Sequence, residues 1–204
     1  MTTYKEIRGT NIEAVASDPS NPVEGQVWYN TTTNVVKGLS FNTGTWATSG
    51  NLNTAREFMG GAGTQAAALG FGGGPLNSGA TLTELYNGSN WTEVNDLTTG
   101  RFWPGSCGTS TAALGFGGAT PTRSVDTETW NGTNWTEVNN IGTARYAIGG
   151  AGTNTAALAF GGHTGSPPNN HNLTETWNGT NWTEVNDLNT ARYGPGGAKS
   201  GTNT

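Results

Sequence analysis

NGTNWTEVNNIGTAR, residues 131–145, is the stretch that decides the fold, because the chain repeats it almost letter for letter. The other copies are NGSNWTEVNDLTTGR at 87–101, NGTNWTEVNDLNTAR at 178–192 and a weaker one, FNTGTWATSGNLNTAR, at 41–56. The tryptophan of each copy lies 44 to 47 residues from the next one. A period of this length indicates supersecondary units that bury their faces against one another.

Each period contains four short segments with strand character, separated by turn signals. In the copy that spans 143–188 they are strand A, RYAIGGAG; strand B, TAALAFGG; strand C, LTETWN; and strand D, NWTEVND. Asn178-Gly179, between C and D, is the dipeptide favoured in a type I′ hairpin, where both central residues have positive φ. Small residues in A and B and aromatic residues in C and D fit blades that widen away from an axis. The pattern therefore predicts an all-β array of four-stranded antiparallel blades, with the tryptophans packed between blades.

The order of features in each period also resembles a known repeat. An apolar strand ends in Gly-Gly, a variable loop and an aromatic residue follow, a Trp comes about five residues later, and an Arg opens the next unit. This order resembles the kelch motif over about residues 35–204, except that many kelch repeats carry an Asp and a longer turn at the Asn-Gly site. The resemblance implies a kelch-like β-propeller.

The predicted organisation is an extended N-terminal arm over 1–24 and a propeller-like repeat domain over 25–204. The domain is divided into a partial blade at 25–50, full repeats at about 54–97, 99–140 and 143–188, and a partial strand at 190–204. In the partial blade, strands are predicted near 26–30, 35–41 and 45–49. Two interpretations of the ends stay open: the last strand completes the first blade and closes a four-bladed ring, or the sequence comes from a longer chain. The second is favoured here because kelch rings usually have more blades.

The first residues differ in composition from the repeats, and two X-Pro steps in them favour an extended course. The stretch SDPSNPVEGQVWYNTTTNVVKG, residues 17–38, resembles the start of tail-fibre and other virion proteins of tailed bacteriophages, especially marine ones. That resemblance implies a virion protein assembled in the host cytoplasm, whose arm docks on other virion proteins. Analogy with fibres suggests a homotrimer.

Composition argues against several classes of protein. The net charge is −5, and no basic cluster is present to neutralise phosphates, so nucleic acid is not an expected partner. No apolar run reaches the 18 or so residues of a membrane span, and the opening residues lack the apolar core of a signal peptide. The lone cysteine, Cys107, is predicted to be a small buried side chain.

Catalytic, metal and cofactor sites are not predicted. His163 and His171 lie in one loop, but a zinc site would need a third ligand there. Arg56, Arg101, Arg145 and Arg192 occupy equivalent places, which favours a structural role in which the guanidinium binds carbonyls or a carboxylate between blades. The glutamates of strands C and D also repeat, whereas catalytic carboxylates need unlike environments.

Three functions are considered. The first is a non-catalytic phage virion component of tail-fibre or adhesin type, which binds a host surface, such as a glycan, or a neighbouring virion protein. The second is a glycan-binding kelch-type lectin, and the third, less favoured, is an enzyme on a propeller scaffold. Binding is expected in the loops that vary between repeats. The candidate residues are His163, Pro167, Asn169, Asn170, His171, Leu76, Asn77, Arg123 and Asp126.

Overall fold

The structure, a computed structural model, describes residues 12–21, 26–38, 48–74, 80–165 and 170–197 of the 204. Every regular element in these ranges is a β-strand, which confirms the all-β prediction. Contacts divide the chain into two compact units, Met1–Thr48 and Ser49–Thr204. Within the described ranges there is no helix long and apolar enough to cross a membrane.

The first unit contains a three-stranded sheet with the strand order β1-β2-β3. These strands are β1 (Glu13–Val15), β2 (Val27–Asn30) and β3 (Val35–Gly38). The antiparallel pair β2–β3 lies where strands near 26–30 and 35–41 were expected, and most of the segment expected at 45–49 is outside the described residues. β1 belongs to the segment predicted as an extended arm, and it pairs in parallel with β2.

Asp18 links the strands of this sheet through its carboxylate. One oxygen accepts hydrogen bonds from Trp28 Nε1 at 3.0 Å and Asn30 Nδ2 at 2.8 Å, and the other lies 2.7 Å from Lys37 Nζ. The hydrogen bond from Lys37, followed by those from Trp28 and Asn30, lowers the pKa of Asp18 from 3.8 to about 2. In the folded sheet the carboxylate therefore stays ionised at pH values below its ordinary pKa.

The indole resonance of Trp28 is expected to titrate with a midpoint near pH 2. Because the pKa of Asp18 is depressed in the fold, its contribution to stability is complete above about pH 3.8 and is lost as the pH falls through about 2. NMR of the Trp28 Nε1–H group, assigned with Trp28→Phe, measures the midpoint. Asp18→Asn should abolish the transition, and a midpoint near 3.8 would show that these hydrogen bonds are absent.

The described part of the second unit contains three four-stranded antiparallel sheets, one for each strong copy of the repeat. The first is β4 (Gly60–Thr64), β5 (Ala67–Phe71), β6 (Thr83–Tyr86) and β7 (Trp91–Val94). The second is β8 (Gly105–Gly108), β9 (Ala113–Phe116), β12 (Thr127–Trp130) and β13 (Trp135–Val138), with the small hairpin β10 (Ala119–Thr120) and β11 (Thr122–Arg123) between β9 and β12. The third is β14 (Gly149–Gly152), β15 (Ala157–Phe160), β16 (Thr174–Trp177) and β17 (Trp182–Val185).

The four strands of each sheet correspond to the predicted strands A to D, paired in chain order. One difference is the start of strand A, which was predicted from Arg145 but begins at Gly149. Ala147, two residues earlier, has a φ of 53°, a left-handed conformation outside the β region. The first four residues of the predicted strand therefore lie outside β14.

The type I′ prediction for the Asn-Gly hairpins is wrong. Trp177 pairs directly with Trp182, so the connection has four residues, and only Gly179 has a positive φ, of 91°. Asn178 instead uses its side chain, whose Oδ1 accepts the backbone N–H groups of Thr180 at 2.9 Å and Asn181 at 2.8 Å. Here the asparagine side chain closes the turn by accepting these backbone N–H groups, and this turn replaces the two-residue turn that the Asn-Gly dipeptide suggests. The other two copies have the same geometry.

The core lies between consecutive sheets, where a phenylalanine of one sheet meets a tryptophan of the next. Phe71 lies 4.6 Å from Trp135 between ring centroids, and Phe116 lies 5.0 Å from Trp182. The indole N–H of Trp135 donates to Thr83 Oγ1 at 3.0 Å across the same junction. These contacts confirm that the strand D tryptophans pack between sheets at these two junctions, where Trp135 is buried and Trp182 is partly buried. Cys107 is fully buried, as predicted.

Candidate binding face

Three of the four repeated arginines form buried ion pairs inside the second unit. Arg56 pairs with Glu84, Arg101 with Glu128 and Arg145 with Glu175, at Nη2 to Oε1 distances of 2.8, 2.5 and 2.7 Å. Nη1 of each arginine donates to two backbone carbonyls, which for Arg101 belong to Gly117 and Asp126. The structural role predicted for these three arginines is therefore confirmed, but each pair joins a sheet to its own entering segment and does not connect two sheets. Arg192 is exposed, and its Nε lies 3.4 Å from the Thr190 carbonyl oxygen.

The carboxylate of each pair also binds the chain that enters the sheet. Glu128 Oε2 accepts the N–H of Thr98 at 2.8 Å, and Glu84 and Glu175 accept the N–H groups of Asn53 and Gly142. Burial lowers the pKa of Arg101, although the charge of Glu128 opposes this shift. The strand C glutamates are thus engaged in the scaffold.

A line of backbone hydrogen bonds joins the segments that follow these arginines in successive repeats. Phe58, Trp103 and Ala147 have φ values of 57°, 53° and 53°, and Gly194 has 58°. Trp103 N–H donates to the Phe58 carbonyl at 2.7 Å, Ala147 to Trp103 at 2.9 Å and Gly194 to Ala147 at 3.0 Å. Because these positions are equivalent in successive repeats, the side chains that follow each arginine are brought to one face.

On that face six ring side chains of the described residues form a continuous cluster, called here the aromatic cluster. Its members are Phe58, Phe102, Trp103, Tyr146, His163 and Tyr193. Trp103 and Tyr146 stack in parallel at 5.4 Å, and Phe58 packs on Trp103 at 4.2 Å between centroids. Tyr193 meets Trp103 edge-on at 5.6 Å and is 43% exposed. The cluster combines the apolar surface of its rings with the polar groups of its tyrosines and tryptophan, and such aromatic residues are enriched in binding surfaces.

Phe58 and Trp103 keep bulky side chains where the backbone favours glycine. A left-handed φ is uncommon for residues other than glycine, and sparsely populated conformations cost on the order of 1–3 kcal/mol. Gly194 shows that glycine fits the same place in the hydrogen-bond line. The line itself therefore does not require the aromatic rings. Strain retained in this way is typical of functional surfaces.

Arg123 reaches this face from β11 and lies against the loop of the next repeat. A Cβ added to Gly165 would collide with the Arg123 guanidinium, so the two groups are in direct contact, and Gly165 has a φ of 72°. Arg123 and Thr122 line a cavity of about 380 Å³ together with Phe102, Trp103 and Tyr146. This cavity is called the Arg123 cleft.

The loop predicted as the leading site contributes His163 to the cluster, 5.0 Å from Tyr146. Gly165 N–H donates to His163 Nδ1 at 2.9 Å, and His171 Nε2 lies 2.9 Å from Thr164 Oγ1. The backbone of His163 also forms an isolated antiparallel β-bridge with that of the exposed Asn170. In the described part of the chain no three His, Cys, Asp or Glu residues are grouped so that they could hold a metal ion.

The remaining predicted residues are distributed differently. Asp126 is engaged through its backbone, since its carbonyl accepts both Gly117 N–H and Arg101 Nη1. Asp126 and Arg123 both line another cavity, of about 230 Å³. Leu76, Asn77, Pro167 and Asn169 lie outside the described residues.

A further cavity, of about 450 Å³, lies on the first sheet between Met59, the glycines of β4 and Trp91. In the two following sheets the equivalent grooves are filled by Phe71 and Phe116, each against a strand D tryptophan. We therefore interpret this cavity as the packing groove of the first sheet, equivalent to the grooves that Phe71 and Phe116 fill in the other two sheets.

The sequence prediction missed Phe58, Phe102, Trp103, Tyr146 and Tyr193 as members of one surface. A signal was present, because the two residues after each repeated arginine are Glu-Phe, Phe-Trp, Tyr-Ala and Tyr-Gly. Aromatic residues recur there while their exact position varies. The sequence analysis placed these positions in strand A. The aromatic side chains come together because left-handed residues of successive repeats hydrogen-bond to one another.

No protein-family model and no curated protein matches this sequence.

Proposed function

We propose that this chain is a non-catalytic attachment protein whose three sheets are blades of a kelch-type β-propeller. Support comes from the repeated four-stranded sheets, from junctions that pair Phe with Trp, and from arginines that tie each sheet to the segment entering it. Repetition of the same contacts explains the near identity of the copies. It leaves the variable positions free for recognition.

The aromatic cluster is the observation that carries the binding role. It collects side chains from four successive repeat positions on one face, and it includes two rings kept at strained backbone positions. Tryptophan and tyrosine dominate the residues that contribute most to binding at interfaces. The resemblance of residues 17–38 to phage virion proteins supports attachment to a host surface, with the N-terminal segment docking on other virion proteins.

A catalytic role is less favoured because the repeated acids are used by the scaffold. Glu84, Glu128 and Glu175 are buried in ion pairs, and their strand D neighbours, such as Glu137, are exposed and repeat in the same way. A general acid and base pair needs two carboxyl groups in unlike surroundings.

Trp103→Gly is expected to reduce binding of the labelled chain to host bacteria by roughly 30-fold or more, as loss of a central tryptophan does at other interfaces. Glycine is chosen because the φ of 53° suits it, as at Gly194. Flow cytometry on the best-binding strain of a bacterial panel measures the loss of binding. Antibodies against the chain test whether the chain is present in purified phage particles.

Val185→Ala, at an exposed apolar side chain of β17, is the matched control and should bind like the parent. Equal binding by Trp103→Gly and the parent would reject the aromatic cluster as the attachment surface. Glycan binding by a chain that is absent from phage particles would instead favour the free lectin.

A further inference from the structure

We propose that the Arg123 cleft binds a sugar that bears one carboxylate, such as a uronic or sialic acid unit of a surface glycan. This inference rests on the proposed attachment function and adds the ligand class. Three observations carry it: the position of Arg123, its lack of an ion pair among the described residues, and the residues that line the cleft.

Arg123 is a positioned cation. Its guanidinium lies on Gly165, a glycine with a φ of 72° whose N–H is bound by His163 Nδ1. A side chain at 165 would displace the guanidinium, so the loop of one repeat holds the arginine of another. A guanidinium offers a planar fork of donors that matches a carboxylate in two parallel hydrogen bonds.

No acid of the second unit neutralises Arg123. Among the described residues it has no ion pair within 4.0 Å, whereas Arg56, Arg101 and Arg145 each have one. The undescribed positions between 49 and 204 contain no Asp or Glu, so every acidic side chain of this unit is in the described part. The nearest acid in sequence, Asp126, shares a cavity with Arg123 but no ion pair.

The walls of the cleft favour a sugar over a polyanion. The aromatic residues Phe102, Trp103 and Tyr146 line the cleft, and an aromatic lining suits the C–H face of a pyranose; Thr122 borders the same space. The chain has a net charge of −5, and no second cation lines the described walls. An acidic peptide or a polyphosphate would bring several charges that only Arg123 could meet.

The test uses the full chain and two disaccharides that differ in one group. The first ends in glucuronic acid or a sialic acid, and the second is the same compound with its carboxyl reduced to hydroxymethyl. Titration calorimetry is expected to show binding of the acid that is about 10- to 100-fold tighter than that of the reduced form, the range for a charged hydrogen-bonded contact. Arg123→Gln should remove this difference.

Arg192→Gln is the matched control, because it deletes the same charge from an exposed arginine outside the cleft lining. It should keep the preference for the acid. Equal affinity for the two disaccharides, or unchanged preference in Arg123→Gln, would overturn the inference. Stronger competition by a glutamate-rich peptide than by the acidic disaccharide would overturn it in favour of a peptide ligand.

These results are separable from the attachment function itself. If Trp103→Gly abolishes cell binding while the acidic sugar does not bind, the attachment surface stands and the ligand class is wrong. If neither Trp103→Gly nor Arg123→Gln alters cell binding, both proposals fail.

Discussion

Glu128→Ala is expected to lower the free energy of unfolding by about 3–5 kcal/mol, because it leaves the Arg101 guanidinium buried without its carboxylate. The N–H of Thr98 loses its acceptor in the same step. Domains of this size are stable by only about 5–15 kcal/mol, so the loss is a large part of the total. Urea denaturation followed by tryptophan fluorescence measures it.

Glu137→Ala supplies the control for this variant, because Glu137 is the cross-strand neighbour of Glu128 and is exposed. Its cost should stay within about 0.5 kcal/mol. Similar midpoints for the two variants would mean that the pair is solvated and does not hold the sheet to the entering chain.

Phe116→Ala is expected to cost about 3–5 kcal/mol, since the ring is fully buried at the junction of the second and third sheets. Phe116 fills the space left by Gly105 and Gly150 and packs edge-on against Trp182. A methyl group in its place would leave a cavity that the strands cannot close. The same denaturation experiment reports the change.

The equivalent residue of the third sheet, Phe160, provides an internal comparison. Phe160 is partly exposed, so Phe160→Ala removes less buried area and should cost clearly less than Phe116→Ala. Equal losses would contradict the assignment of the core to the space between consecutive sheets.

Much of the scaffold could be predicted from the repeat. Strands A to D, their antiparallel order, and the structural role of Arg56, Arg101 and Arg145 follow from chemistry that recurs at the same place in every copy. The hairpin type could not be predicted from Asn-Gly alone. Asparagine can bind the backbone through its side chain, and the direct pairing of Trp177 with Trp182 selects this alternative.

The candidate site was predicted only in part. The variable loops indicated His163 and Arg123, but nothing in the sequence places Arg123 on Gly165, because the two residues belong to different repeats. Phe58, Trp103 and Tyr146 are likewise separated by about one period each. Only the stacking of successive sheets brings them together.

By itself the sequence determined the repeating unit of this protein: a four-stranded sheet with small residues in its first two strands, aromatic residues in its last two, and an arginine in the segment that enters the sheet. Local hydrophobic patterning and turn chemistry are enough for that, since they act over a few residues. The tertiary structure alone decided the candidate binding face. Its members meet because left-handed residues in successive repeats hydrogen-bond to one another, and those contacts join residues about 45 positions apart.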